Sequence, residues 1–302
     1  MGKIAFVFAG QGDQYVGMGR ELYEQYASAK MVFSELDVIR PNTSTQCFYG
    51  TDEELKQTQN TQPCLFAMEM AAASVLKEKG IVPDVVAGFS LGEVVALTYA
   101  GYVSLTDGFN LVCQRGAIMQ AEAEKCETAM VAVVKLDAAT VKNLAAKYTQ
   151  VYPVNFNCPG NISVCGHAEQ IQTFAEDVKA AGGRAIPLKV KGAFHSPYMQ
   201  VAAQNFGDVL KEVHFNLPHT ELYANYTAKP YGENAKELLA KQIANPVLWE
   251  EIIRNMVADG VDTFIEIGPG KTLSNMIGKI SPAVKVYSVA NLEQIFSEVK
   301  NG

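Results

Sequence analysis

The pentapeptide Gly88-Phe89-Ser90-Leu91-Gly92 is a GxSxG motif and carries the clearest chemical signal in the chain. The apolar run Val85-Val86-Ala87 before it and the stretch Leu91 to Tyr99 after it predict a strand, a sharp turn and a helix. In such an elbow the flanking glycines remove side chains that would clash, and the serine hydroxyl stands exposed above a helix N-terminus. The chemistry would be nucleophilic attack on an acyl carbon, with the Leu91 backbone N–H facing the oxyanion that develops. A tight turn with a capping serine would fit the same five residues.

A serine nucleophile requires a base within hydrogen-bond reach. The sequence holds His 4 times. His214 and His219 flank Leu217-Pro218 in a polar connection, and His167 stands between Gly166 and Ala168, where a helix should start. His195, in Gly192-Ala193-Phe194-His195-Ser196-Pro197, is what elimination leaves as the base, although a structural loop histidine would look the same.

The elements that must bring these groups together follow from apolar periodicity. Ile4 to Phe8 reads as a buried parallel strand feeding the turn Gly10-Gln11-Gly12. Helices are predicted over Met18 to Leu36, Pro63 to Lys79, Leu91 to Tyr99, and from Ser104 toward Glu124, with Ser104 and Asp107 forming a capping box. From Thr128 the units shorten to strand Ala129 to Lys135, helix Ala138 to Lys147, strands Val151 to Phe156 and Ile162 to Cys165, helix Ala168 to Ala181 and strand Arg184 to Val190. That βαββαβ order is ferredoxin-like and can sit inside a larger domain. Afterwards strands near Leu222 and over Thr263 to Ile267 alternate with helices Ala235 to Gln242, Val247 to Asp259 and Thr272 to Lys279. The expected fold class is α/β: a large α/β-hydrolase-like domain with a parallel sheet (residues 1–126 and 192–302) plus an inserted ferredoxin-like subdomain (residues 127–191).

Length and composition agree with a globular chain: 302 residues, 48% hydrophobic. The net charge of -7 argues against non-specific nucleic-acid binding. Cys occurs 6 times without a CxxC pair, which points to free buried thiols in a reducing compartment rather than zinc or disulfides. The N-terminal apolar run is too short for a signal peptide and no stretch suits a membrane span, so a cytoplasmic protein is expected.

Five separated stretches together resemble the malonyl-coenzyme A:acyl carrier protein transacylases and the related acyltransferase domains of polyketide synthases. They are Gly10-Gln11-Gly12 with Gln14, the Ser90 elbow running into Glu93, Gln114-Arg115-Gly116, Ala193-Phe194-His195-Ser196, and Glu266-Ile267-Gly268-Pro269-Gly270. Their order along the chain matches too, as does Gln242 to Trp249 with Asn245-Pro246-Val247. The resemblance implies an acylated nucleophile at Ser90, a base at His195, and an oxyanion hole from the backbone N–H groups of Leu91 and Gln11. It implies an imidazole oriented by the main-chain carbonyl of Gln242, and a malonyl carboxylate held by the planar fork of Arg115. Read without the resemblance, Arg115 is an ordinary exposed helix arginine near Glu122. Phe194 resembles the malonyl-selective form and Asn161 falls at a substrate-facing position. The implied partners are malonyl-CoA and acyl carrier protein, with no metal or redox cofactor, no nucleic acid and no membrane; a monomer is expected.

Two positions depart from the family pattern. Phe89 stands where histidine is usual, and Asn161 replaces a frequent glutamine. Glu93 is well explained by the dipole of the helix it begins, and Trp249 by core packing. Lys189 and Lys191 are candidates for an entrance that meets an acidic carrier. A polyketide acyltransferase with altered acyl preference, a serine thioesterase or hydrolase, and a non-catalytic docking protein are the alternatives.

Overall fold

Short runs that are apolar at every position have no side to offer to water, and the chain places them inside a parallel sheet. The computed structural model describes residues 2–190 and 192–299. From the N-terminus, β1 (Lys3–Phe8) leads into α1 (Arg20–Gln25), α2 (Ala27–Ile39), α3 (Thr43–Tyr49), α4 (Asp52–Lys56) and α5 (Thr58–Glu78). Next, β2 (Val85–Gly88) turns into α6 (Leu91–Tyr99), followed by α7 (Leu105–Ala123). Then come β3 (Thr128–Val134), α8 (Ala138–Ala145), β4 (Val151–Cys158), β5 (Asn161–His167), α9 (Ala168–Ala180) and β6 (Arg184–Pro187). The chain returns through α10 (Gln200–Glu212), β7 (Glu221–Tyr223), α11 (Ala235–Gln242), α12 (Trp249–Ala258), β8 (Val261–Ile267), α13 (Thr272–Ile280), β9 (Lys285–Ser288) and α14 (Leu292–Glu298).

Two sheets result. The first has the order β7-β2-β1-β8-β9 with every neighbouring pair parallel. Alternate residues of its central strands feed two cores, as a two-residue side-chain period requires. Phe6, Phe8 and Val86 face the core that contains α5, α6 and α7, while Ala5, Val7 and Ala87 face Trp249, Ile252 and Ile277. The second sheet is antiparallel, in the order β4-β5-β3-β6, the ferredoxin-like order expected of βαββαβ. Val131, Val133, Ile162, Phe174 and Val178 form its own core beneath α8 and α9. The α/β fold class with a parallel sheet and a separate small sheet is therefore as expected. The second sheet's edge is joined to the segment ahead of α12: Val247 N–H donates to Val154 O at 2.8 Å, and Phe156 N–H donates to Val247 O at 2.9 Å.

Several boundaries differ from the sequence reading. The helix expected over Met18 to Leu36 is two helices, because Tyr26 is extended at φ -123° and its N–H closes back on Leu22. α3 and α4 arise where no element is predicted; Thr51 and Glu54 form a reciprocal capping box there. α5 starts five residues ahead of Pro63, which lies inside the helix past its first turn and forgoes one intrahelical hydrogen bond. Ser104 does cap α7, accepting from Asp107 N–H at 3.0 Å, but its hydroxyl donates to the Asp107 carboxylate at 2.7 Å, so the reciprocal bond of a box is replaced. α12 begins at Trp249 rather than Val247, since Val247 is spent on the bridge to Asn155. β6 ends at Pro187, three residues short of Val190, and β9 and α14 are additional. Cys126 is exposed and Cys113 half-buried, so not all thiols are buried. Among the described residues no helix is long and apolar enough to cross a membrane.

Candidate active site

The turn between β2 and α6 is a strained elbow. Ser90 sits at φ 54°, ψ -105°, a conformation that a residue with a side chain holds only when its surroundings fix it. The chain can turn this tightly because Gly88 and Gly92 lack side chains. A Cβ on Gly88 would lie 1.9 Å from the Gly92 carbonyl carbon, and one on Gly92 would lie 2.2 Å from Phe8 O. Asn225, just past β7, clamps the elbow: Ser90 N–H donates to Asn225 Oδ1 at 2.7 Å and Asn225 Nδ2 donates to Gly88 O at 2.6 Å. Gln242 Nε2 donates to Ser90 O at 2.6 Å from the other side.

Beneath the clamp lies Glu93. Its Oε1 accepts from Asn225 N–H at 3.0 Å and from the Tyr231 hydroxyl at 2.6 Å. Burial pushes this carboxyl up to about 7, against the opposing pull of the Tyr231 and Asn225 hydrogen bonds. A helix-dipole role alone does not account for Glu93: it is fully buried and tied twice to the connection between β7 and α11.

The histidine expected as base lies within hydrogen-bond reach of the serine expected as nucleophile. His195, 105 residues further on, places Nε2 2.7 Å from Ser90 Oγ. Its Nδ1 lies 2.8 Å from the Gln242 carbonyl oxygen. A carbonyl can only accept, so the proton sits on Nδ1 and Nε2 is left to accept from the serine hydroxyl. His195 is itself buried, held at φ 62°, and its backbone N–H donates to Ile243 O at 3.1 Å. Burial first, and then the charge of Arg115, push its pKa down to about 4, while the Gln242 hydrogen bond opposes them. The imidazole is therefore neutral at neutral pH and in the basic form.

Arg115 is not the exposed helix arginine that its isolated sequence context allows. It is 0% exposed, and Glu122 pairs instead with Lys125 at 2.7 Å. The Arg115 Nη1 donates to Gln62 Oε1 at 2.8 Å, and Nη2 to Gln242 Oε1 at 2.8 Å and to Ser90 Oγ at 3.3 Å. Burial lowers its pKa to about 10, which leaves it a cation at neutral pH.

A cavity of about 280 Å³ opens over Ser90. Gln11, Ser90, Asn161, Phe194 and His195 line it, whereas Leu91, Arg115 and Gln242 stand behind its wall. The backbone N–H groups of Leu91 and Gln11 donate to no acceptor among the described residues. Asn161 reaches the cavity with its Oδ1 already accepting from Asn157 Nδ2 at 3.1 Å. Phe89, the departure from the family's histidine, packs edge-on against the buried Trp249 at 5.5 Å between ring centres. His214 and His219 are exposed, His219 lies 2.9 Å from the Thr220 hydroxyl, and the side chain of His167 makes no cap on α9. Lys189 is exposed; Lys191 lies outside the described residues. Sequence reasoning misses Gln62, Asn225 and Tyr231. For Asn225 a signal exists, since it follows the carboxyl end of a strand, where parallel sheets collect functional groups.

Comparisons with known proteins place this chain in a family. A model described as "Acyl transferase domain" matches residues 5–292. The chain is 41% identical over 303 residues to the malonyl CoA-acyl carrier protein transacylase of Bacillus subtilis, covering 98% of this chain and 96% of that one. The crystal structure of the transacylase of that name from Clostridium perfringens superposes with a TM-score of 0.95 at 36% identity, covering 98% of this chain and 97% of that one. A malonyl-transacylase solved in complex with its type II PKS acyl-carrier protein gives a TM-score of 0.94 at 32% identity, covering 98% of this chain and 99% of that one. This chain belongs to the acyl transferase domain family, within its group of malonyl CoA-acyl carrier protein transacylases.

Proposed function

We propose that this chain moves a malonyl group from malonyl-CoA to the phosphopantetheine thiol of an acyl carrier protein, in two half-reactions that share a malonyl ester on Ser90. In the first, His195 Nε2 takes the Ser90 proton as Oγ adds to the thioester carbon. The C=O electron pair moves onto oxygen, which rests on the Leu91 and Gln11 backbone donors. Collapse breaks the C–S bond, and the proton on His195 passes to the leaving thiolate of coenzyme A. In the second, His195 takes the proton of the carrier's thiol, the thiolate adds to the ester carbon, and Ser90 leaves with the proton returned. The Gln242 carbonyl holds the imidazole and stabilises its protonated form, so the pair works as a dyad without a carboxylate. Arg115 supplies the charge that favours an acyl group ending in a carboxylate. Asn161 and Phe194 are read as cavity residues that contact the acyl or pantetheine chain.

The observation that carries this reading is the linked set Gln242 carbonyl, His195, Ser90 Oγ and Arg115, with a cation 3.3 Å from the nucleophilic oxygen. The same chemistry needs only a thioester and a thiol, so no metal or redox cofactor enters the scheme; residues 127–191 are read as an inserted unit and the chain as a cytoplasmic monomer. The test is transfer from malonyl-CoA to a holo acyl carrier protein, with acetyl-CoA as competitor. Wild type should prefer malonyl, and Arg115→Ala should lower the malonyl to acetyl ratio by about a hundredfold, the worth of a lost charge-assisted hydrogen-bond pair. Release of free malonate as fast as transfer would make the protein a hydrolase instead.

A further inference from the structure

Arg115 is a buried cation without a contact ion pair: no carboxylate oxygen lies within 4.0 Å of it among the described residues, and Glu93 acts on its charge only from beyond that distance. Leaving a charge unpaired in the interior is costly. Its closest partners are instead two neutral amide oxygens, Gln62 Oε1 and Gln242 Oε1, each at 2.8 Å, and its Nε has no hydrogen-bond partner among the described residues. Gln242 is already committed, through its carbonyl to His195 and through its Nε2 to Ser90 O. Gln62 has no such catalytic duty. It is 0% exposed on α5, and its Nε2 donates to Gln11 Oε1 at 3.2 Å and lies 3.6 Å from Met119 Sδ. Gln11 and Met119 both line the cavity above Ser90. One side chain therefore joins the guanidinium to the loop that carries an oxyanion donor.

We infer that Gln62 is a specificity-determining residue: it meets the Arg115 fork with a neutral oxygen, so that the charge stays free for thioesters whose acyl group ends in a carboxylate. The inference rests on the proposed acyl transfer at Ser90 and deepens it. A glutamate at this position would keep the shape and the hydrogen bond to Arg115 but satisfy the cation in advance. A methionine would keep the approximate volume and leave the charge free. Charge at position 62, not bulk, is thus what sets the acyl preference.

The experiment measures kcat and KM for malonyl-CoA and acetyl-CoA loading by the full chain, with thermal unfolding as the check on folding. Gln62→Glu should lower the malonyl to acetyl ratio of kcat/KM by at least about tenfold, chiefly through KM for malonyl-CoA. In an Arg115→Ala background the same substitution should leave the ratio unmoved. Gln62→Met should keep the ratio within about threefold of wild type, since less than about 1 kcal/mol separates such ratios. An unchanged ratio in Gln62→Glu overturns the inference, and so does a Gln62→Met ratio that falls as far as that of Gln62→Glu. Should Gln62→Glu not fold, Gln62→Met decides alone, because loss of malonyl preference in a neutral variant contradicts a role for charge. Wild type that fails to load malonyl on Ser90 defeats the functional reading itself, whereas malonyl loading with an indifferent Gln62→Glu ratio defeats only this inference.

Discussion

Lowering the pH from 7 to 4.5 should change the stability of this protein through two buried groups that work in opposite directions. His195 has its pKa pushed from the ordinary 6.5 to about 4. Over that interval the unfolded chain binds a proton that the folded one refuses, so its contribution to stability is present above pH 6.5 and is lost as pH falls toward 4. The full displacement corresponds to about 3 kcal/mol, of which about 2 kcal/mol disappears between pH 7 and 4.5. Glu93 is the reverse case, raised from 4.5 to about 7. Its folded form holds a proton that the unfolded chain has released, so its contribution is present below pH 4.5 and is lost as pH rises through 7, again by about 2 to 3 kcal/mol. Urea unfolding of wild type, His195→Gln and Glu93→Gln across this range separates them, because all other titrations cancel in the differences. The stability advantage of wild type over His195→Gln should shrink by about 2 kcal/mol on acidification, and that over Glu93→Gln should grow by a similar amount. Two flat differences, or two of the same sign, would refute a lowered imidazole pKa beside a raised carboxyl pKa. The same imidazole predicts that kcat/KM for Ser90 loading keeps its plateau below pH 6.5 and bends only near pH 4.

The remaining predictions concern the elbow. Gly92→Ala drives a Cβ to 2.2 Å from Phe8 O and 2.6 Å from Ala9 O, backbone atoms at the end of the central strand β1 that cannot swing aside as a side chain would. It should cost about 3 kcal/mol or more by chemical denaturation, and a cost below about 1 kcal/mol would contradict the packing described. Asn225→Ala strips partners from Ser90 N–H and Gly88 O; one buried and one part-buried backbone group left unmet predict a loss of about 2 to 4 kcal/mol and slower Ser90 acylation. Full acylation rates in that variant would show that the clamp does not position the nucleophile.

How far the sequence alone reaches depends on where the physical constraint lies. The Ser90 elbow is legible because the constraint is local: a strand, two glycines that backbone atoms crowd, and a helix follow one another within a few residues. The small βαββαβ unit is legible for the same reason, since its elements are short, regular and consecutive. His195 is found by elimination among few candidates, but its distance from Ser90 is set by the whole fold. Arg115 read alone looks like a surface residue; only the packing of α7 against α5 buries it. Gln62 and Asn225 carry no pattern of their own, because an amide becomes functional only through the partners that distant segments bring to it. Glu93 reads as a dipole effect until β7 and Tyr231 close over it. The limits of α12 and β6 fall outside periodicity as well, since a bridge between the two sheets takes Val247 out of the helix.

The central claim is that the hydroxyl touching His195 becomes the ester that carries the acyl group. Its most direct test is to mix the protein with malonyl-CoA without any acceptor, quench in acid within the first turnover, and locate the added mass by intact-protein and peptide mass spectrometry. The account predicts one malonyl group, on the peptide containing Ser90, absent from Ser90→Ala and discharged when holo acyl carrier protein is added before the quench. Transfer to the carrier that proceeds normally in Ser90→Ala, or a malonyl group found on another residue, would contradict it.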